Sequence, residues 1–174
     1  MRIFLRISAL CILCASCLIS CNTVDDDRIP SMPVNISISD AGSWNIYGVS
    51  GFGMHREFIL TSSIRLPANF PYTTNSATGF GGVLLISGMN PYTTTTDQPL
   101  AYDLACPVER NPNIRVYVND DTYVAVCPEC ASTYDVTMGA GAPLSGPAAT
   151  GKYKYGLKNY RCYPSANGGY IISN

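Results

Sequence analysis

Histidine is almost missing from this chain: His55 is the only one among 174 residues. One imidazole excludes a histidine-rich metal site, and no Ser/His/Asp order or G-x-S-x-G elbow can be built around it. With no partner placed beside it, His55 reads as plain surface. Charge is scarce as well. Asp, Glu, Lys and Arg make up 13% of the residues, about half the usual share. Tyr, Thr, Ser and Asn take their place, which suits an extracytoplasmic surface rich in strands and turns. No basic patch exists to meet a polyanion, so nucleic acid is not an expected partner. No glycine loop that would cradle phosphate precedes a helix, and no enzyme is expected. Sustained 3.6-residue periodicity is lacking too, so the chain is expected to be all-β with little helix. The longest apolar run, Ile7 to Ile19, covers thirteen residues, short of the roughly twenty that cross a bilayer.

That run follows Arg2 and Arg6, the pattern of a signal peptide rather than a membrane helix. It closes on Leu18-Ile19-Ser20-Cys21, which resembles the lipobox of bacterial lipoproteins. The resemblance implies cleavage before Cys21 and a diacylglyceryl, N-acylated Cys21, enough chains for stable anchoring in a lipid bilayer. Asp25-Asp26-Asp27 next to it looks like the surface-export signal of lipoproteins from the Bacteroides group, although an acidic run also serves as a solvated tether. The expected place is the cell envelope, at the outer membrane and exposed on its surface. Three segments follow: 1–20 as signal peptide, 21–33 as lipidated N-terminus and polar linker, and 34–174 as a single β domain. Without Arg2 and Arg6, nine basic residues face twelve acidic ones, a net charge of −3. The 154 residues from Cys21 onward suffice for one real core.

Short β-prone runs are expected at 34–39, 44–49, 57–62, 82–87 and 100–104, with Trp44 and Ile46 in the core. The clearest element is a hairpin over Ile114 to Val126, turning at Asn119-Asp120-Asp121. A second is expected over 160–163 and 170–173 around Asn167-Gly168-Gly169. Residues 62–81, 88–99 and 136–151 read as loops, and the PYTTN and PYTTT echoes at Pro71 and Pro91 are too short to be a repeat. Lys152, Lys154, Lys158 and Arg161, interleaved with tyrosines, read as a solvated strand edge or as a docking face for an acidic partner.

Cysteine carries the chemistry. Cys11, Cys14 and Cys17 leave with the signal peptide and Cys21 goes to lipid, so Cys106, Cys127, Cys130 and Cys162 remain. Cys106-Pro107 precedes the first hairpin and Cys127-Pro128-Glu129-Cys130 follows it. A hairpin whose strands start and end together brings Cys106, Cys127 and Cys130 to one end.

The run AYDLACPVE, then CPECASTYD, GAPLSGPA and GLKNY, resembles a Rieske-type iron–sulfur domain over roughly residues 80–174. That family carries C-x-H and C-x-x-H, followed by a G-S-x-Y-D variant and a Gly-Pro loop. The resemblance implies an antiparallel β-sandwich with a small two-loop cluster-binding subdomain. It places Cys106 and Cys127 as thiolate ligands, Ser132 and Tyr134 as hydrogen-bond donors to sulfur, and Gly146-Pro147-Ala148 as the cover. The departures matter equally: Val108 and Cys130 stand where the two histidines belong, and a Rieske centre needs two imidazoles on one iron. Three outcomes stay open. One is a variant [2Fe–2S] centre for electron transfer to an envelope redox partner, with Glu109 as the nearest oxygen donor for a fourth ligand and Cys162 as the spare thiol. Another is zinc, which accepts thiolates with a carboxylate or water. The last is a metal-free structural or binding lipoprotein with disulfides, Cys106–Cys127 being natural because those thiols share one iron in an intact member.

Overall fold

The computed structural model describes residues 23–89 and 99–174. The expected signal peptide, Cys21 and the PYTTT stretch lie outside them. The fold is all-β and antiparallel. One eight-stranded sheet runs β3-β2-β5-β6-β11-β12-β1-β4, and a smaller one runs β10-β9-β8-β7. Strand bounds are Val34–Asp40 (β1), His55–Leu60 (β2), Arg65–Leu66 (β3), Ala77–Thr78 (β4), Val83–Ile86 (β5) and Leu100–Asp103 (β6). They continue with Tyr117–Val118 (β7), Val124–Val126 (β8), Thr133–Asp135 (β9), Ala142–Ser145 (β10), Asn159–Pro164 (β11) and Gly168–Ser173 (β12).

The large sheet curls until its ends approach, Leu60 N donating to Thr78 Oγ1 at 3.2 Å. Inside the curl, Ile36, Ile38, Phe58, Val83, Leu85, Cys162 and Ile172 form one core. A second core, with Leu84, Ile86, Tyr102 and Leu104, lies on the other face and packs against Val118, Ala125, Tyr134 and Val136. β5 separates them, which explains why Val-Leu-Leu-Ile is apolar without alternation: successive side chains point to opposite faces, and here both faces are buried. Burying a leucine or valine fully is worth about 1.5–3 kcal/mol, so this short strand fastens two layers together.

Both expected hairpins are present. β7 and β8 pair through Tyr117↔Val126, their turn closed by Asn119 Oδ1, which accepts from Asp121 N and Thr122 N. β11 and β12 pair from Arg161↔Ser173 to Pro164↔Tyr170.

Three expectations are corrected. Residues 44–49 are not a strand: Ala41–Tyr47 is a helix (α1), capped by Asp40, whose side chain accepts from Ser43 N. Seven residues with nothing fully buried show no periodicity, so capping was the only signal. Trp44 packs on Tyr170 at 4.7 Å, while Ile46 is exposed rather than in the core. The expected loops at 62–81 and 136–151 contain β3, β4, β10 and a 3-10 turn at Pro147–Ala149. These elements are too short for a residue pattern to announce.

The third correction concerns the linker. Val24 bridges Lys154 in parallel, Lys154 N donates to Thr23 O at 3.1 Å, and Ile29 is buried. The segment is docked on the domain, held by the backbone bonds of Thr23 and Asp25 to Lys154 and by the burial of Ile29.

Candidate metal centre

Two turns carry the sulfurs, and they share one geometry. In each, a cysteine is followed by proline, and the residue four places on turns back to hydrogen-bond the cysteine's carbonyl. Arg110 N donates to Cys106 O at 2.9 Å, and Ala131 N to Cys127 O at 3.1 Å. Both returning residues are left-handed, Arg110 at φ 54° and Ala131 at φ 54°. For a residue with a side chain that conformation costs roughly 1–2 kcal/mol, and such strain gathers where a site demands it. The fold supplies the compensation: Cys106 N donates to Ile114 O and Cys127 N to Ser132 O.

The approach to Cys106 is fixed by a buried carboxylate. Asp103, at the end of β6, accepts from Ala105 N at 2.7 Å, Gly81 N at 3.0 Å, Phe80 N at 3.0 Å and Tyr160 Oη at 2.6 Å. Burial pushes its carboxyl up, and these donors hold that rise in check. A buried acceptor with this many partners is satisfied, so it locks the strand end from which the first cysteine projects.

Cys106, Cys127 and Cys130 converge as the hairpin argument requires: their sulfurs all lie within 4.8 Å of one another. Cys106 Sγ is 3.7 Å from Cys130 Sγ. Cys106 and Cys127 are buried and Cys130 is half-buried, so the triangle opens on the Cys130 side. Tyr134 Oη stands 3.3 Å from Cys106 Sγ. Cys130 Sγ donates to Ser132 Oγ at 3.1 Å, and that oxygen also accepts from Ala148 N at 3.1 Å. The 3-10 turn therefore hangs over the sulfurs by one serine. Gly146, which starts it at φ 75°, has no room for a side chain, because a Cβ there would sit 2.8 Å from Ser132 Cα.

Burial pushes the Cys127 thiol up to about 12, opposed by the N–H groups of Cys130 and Glu129 and reinforced by Cys106. Burial likewise pushes the Tyr134 hydroxyl far up, with Cys106 adding to it. The phenol stays protonated and available as a donor to sulfur. An ion entering this triangle must displace thiol protons, which is the usual coupling of metal binding to acid–base state.

The other expected residues stand apart. Among the described residues the group within reach of one ion is the three cysteines alone. Glu109 is half-buried on the first turn and Glu129 exposed on the second, and neither carboxylate joins it. Cys162 lies on β11 in the other core, its thiol pushed up to about 12 by burial. His55 sits on β2 with Nδ1 3.3 Å from Gly53 O. The four cysteines among the described residues are present as thiols, none joined in a disulfide. Sequence reasoning missed Asp103, Arg110 and Ala131. The repeated Cys-Pro was the available signal for a repeated turn.

The chain is thus an all-β protein with a triangle of thiols at the tip of its small sheet, able to hold a metal ion. No protein-family model matches it, and no curated protein matches it significantly.

Proposed function

We propose that this chain is a lipid-anchored protein of the cell envelope whose β domain, akin to a Rieske domain stripped of its histidines, carries a thiolate metal centre. One observation carries the reading: three sulfurs, twenty-four residues apart at the extremes, within 4.8 Å of one another. The hydrogen bonds that Cys106 makes with Tyr134 and Cys130 with Ser132 support it, since partners beyond the ligands orient them and tune the metal. The anchor rests on the lipobox-like ending at Cys21, and the lipid bilayer is its partner.

The resemblance implies a [2Fe–2S] cluster, and the donor set here does not fit it. Such a cluster takes two ligands at each iron, and a Rieske centre takes two imidazoles at one of them. This site offers a single patch of sulfurs and, among the described residues, no imidazole beside it. Electron transfer to an envelope redox partner therefore has the scaffold's resemblance behind it but not the ligands.

A metal-free, disulfide-bonded lipoprotein is the second reading, favoured by the 3.7 Å approach of Cys106 and Cys130. Metal analysis of anaerobically purified chain, with a thiol count before and after reduction, separates the three. Bound metal with no iron–sulfur absorbance supports the thiolate centre. A brown protein with iron and acid-labile sulfide restores the electron-transfer reading, and metal-free protein with two fewer thiols before reduction establishes the disulfide.

A further inference from the structure

We infer that the site holds one thiophilic ion of the zinc class in an S3 donor set, with its fourth position left to an outside ligand, so that the ion is exchangeable. This deepens the metal-centre reading and rests on it.

Distance argues for a single ion. Two sulfurs sharing a tetrahedral zinc at a Zn–S length of about 2.3 Å stand about 3.8 Å apart. Cys106 and Cys130 are 3.7 Å apart, and Cys127 lies within 4.8 Å of both. Ligands at opposite ends of a two-metal cluster are held farther apart by the second metal and the bridges between. The donor chemistry argues for the class: three thiolates, with no carboxylate or imidazole joining them among the described residues, select zinc, copper(I) and iron–sulfur over harder ions. With the two-iron cluster misfitting, a closed-shell ion indifferent to geometry is the occupant that three sulfurs suit.

The fourth position argues for exchange. Structural zinc sites are closed by four protein ligands, whereas three protein ligands leave a place for water or substrate. Glu109, Glu129, Cys162 and His55 all stand outside the triangle. The half-burial of Cys130 puts the opening at the surface. Glu129 is exposed on the same turn and adds negative charge to it, which favours the approach of a cation. Loading releases the three thiol protons and leaves a site of net charge −1. An incoming thiolate or imidazole on a partner can then take the vacant place first, and transfer is completed as further partner ligands replace the three sulfurs one at a time, each freed thiolate taking back a proton.

Cobalt(II) is a visible probe for such a site. Full-length chain in detergent, reduced under argon, is titrated with cobalt chloride and then with imidazole or a small thiol. One cobalt per chain is expected, with thiolate-to-cobalt absorbance, tetrahedral d–d bands that shift when either ligand is added, and displacement by zinc. Cys130→Ser, which removes a ligand, weakens binding by more than the roughly 10–100-fold that losing a partner of a ligand costs, while Cys162→Ser leaves it unchanged. Bands that ignore imidazole and thiol overturn the open position while leaving the metal centre standing. No cobalt uptake overturns the centre and this inference together.

Discussion

Tyr134 and Cys162 differ in what burial does for them. Tyr134 keeps its proton and points it at Cys106. Tyr134→Phe removes a hydrogen bond to a charged sulfur, so metal affinity should fall on the order of tenfold with the fold intact by circular dichroism; unchanged affinity would deny the hydroxyl its role. Cys162 is buried in the core inside the curl. Its thiol, pushed up to about 12, stays neutral and unreactive, because the thiolate is the nucleophile. Native reduced protein at pH 8 should therefore leave Cys162 unlabelled by an alkylating agent until denatured, and rapid native labelling would contradict its burial. The linkage has a definite sign. With the folded thiol above its unfolded pKa of about 8.5, this contribution is complete below that pH and is lost as pH rises toward 12.

Elements transmit the site to the rest of the chain. The docked N-terminal segment holds Lys154 through Thr23 and Asp25, and Arg28 lies over the Tyr155 ring at 4.0 Å. Lys154 Nζ donates to Ala149 O and Tyr155 N to Ala148 O, and Ala148 in turn bonds Ser132 beside Cys130. Asp25→Pro removes the N–H that bonds Lys154 while Asp25→Asn keeps it. Alkylation of Cys130 in the metal-free reduced protein should quicken several-fold in the proline variant only. Equal rates in both would show that the segment and the lid are uncoupled. The docking of this segment was not legible in the sequence, because Val24 and Ile29 stand among polar residues and their partners lie far along the chain. The hairpins were legible, since alternation and Asn turns are local. The helix at Ala41–Tyr47 was not, because it packs only Trp44 and Tyr47 against the core, too few to show a period.

At the scale of the molecule, β5 divides two cores with different duties. Leu84 faces the small sheet and Leu85 the interior of the curl. Leu84→Ala and Leu85→Ala should each cost about 2–5 kcal/mol, measured by denaturant unfolding. Only Leu84→Ala should also loosen metal binding, since its core is the one that contains Cys106 and Cys127. Equal effects on the metal would mean the two layers do not act separately. The convergence of the cysteines was legible from a hairpin flanked by Cys-Pro turns, and the ligand count was not: whether Glu109 or Cys162 reached the sulfurs depended on how the first turn faced and on which core β11 joined, which no local pattern records.

X-ray absorption at the zinc edge of the loaded, full-length chain reads the coordination shell itself. Three sulfurs at about 2.3 Å with one lighter atom, and no second metal beyond them, is the result expected of a single ion in this triangle. A neighbouring metal, or a shell without three sulfurs, would contradict it.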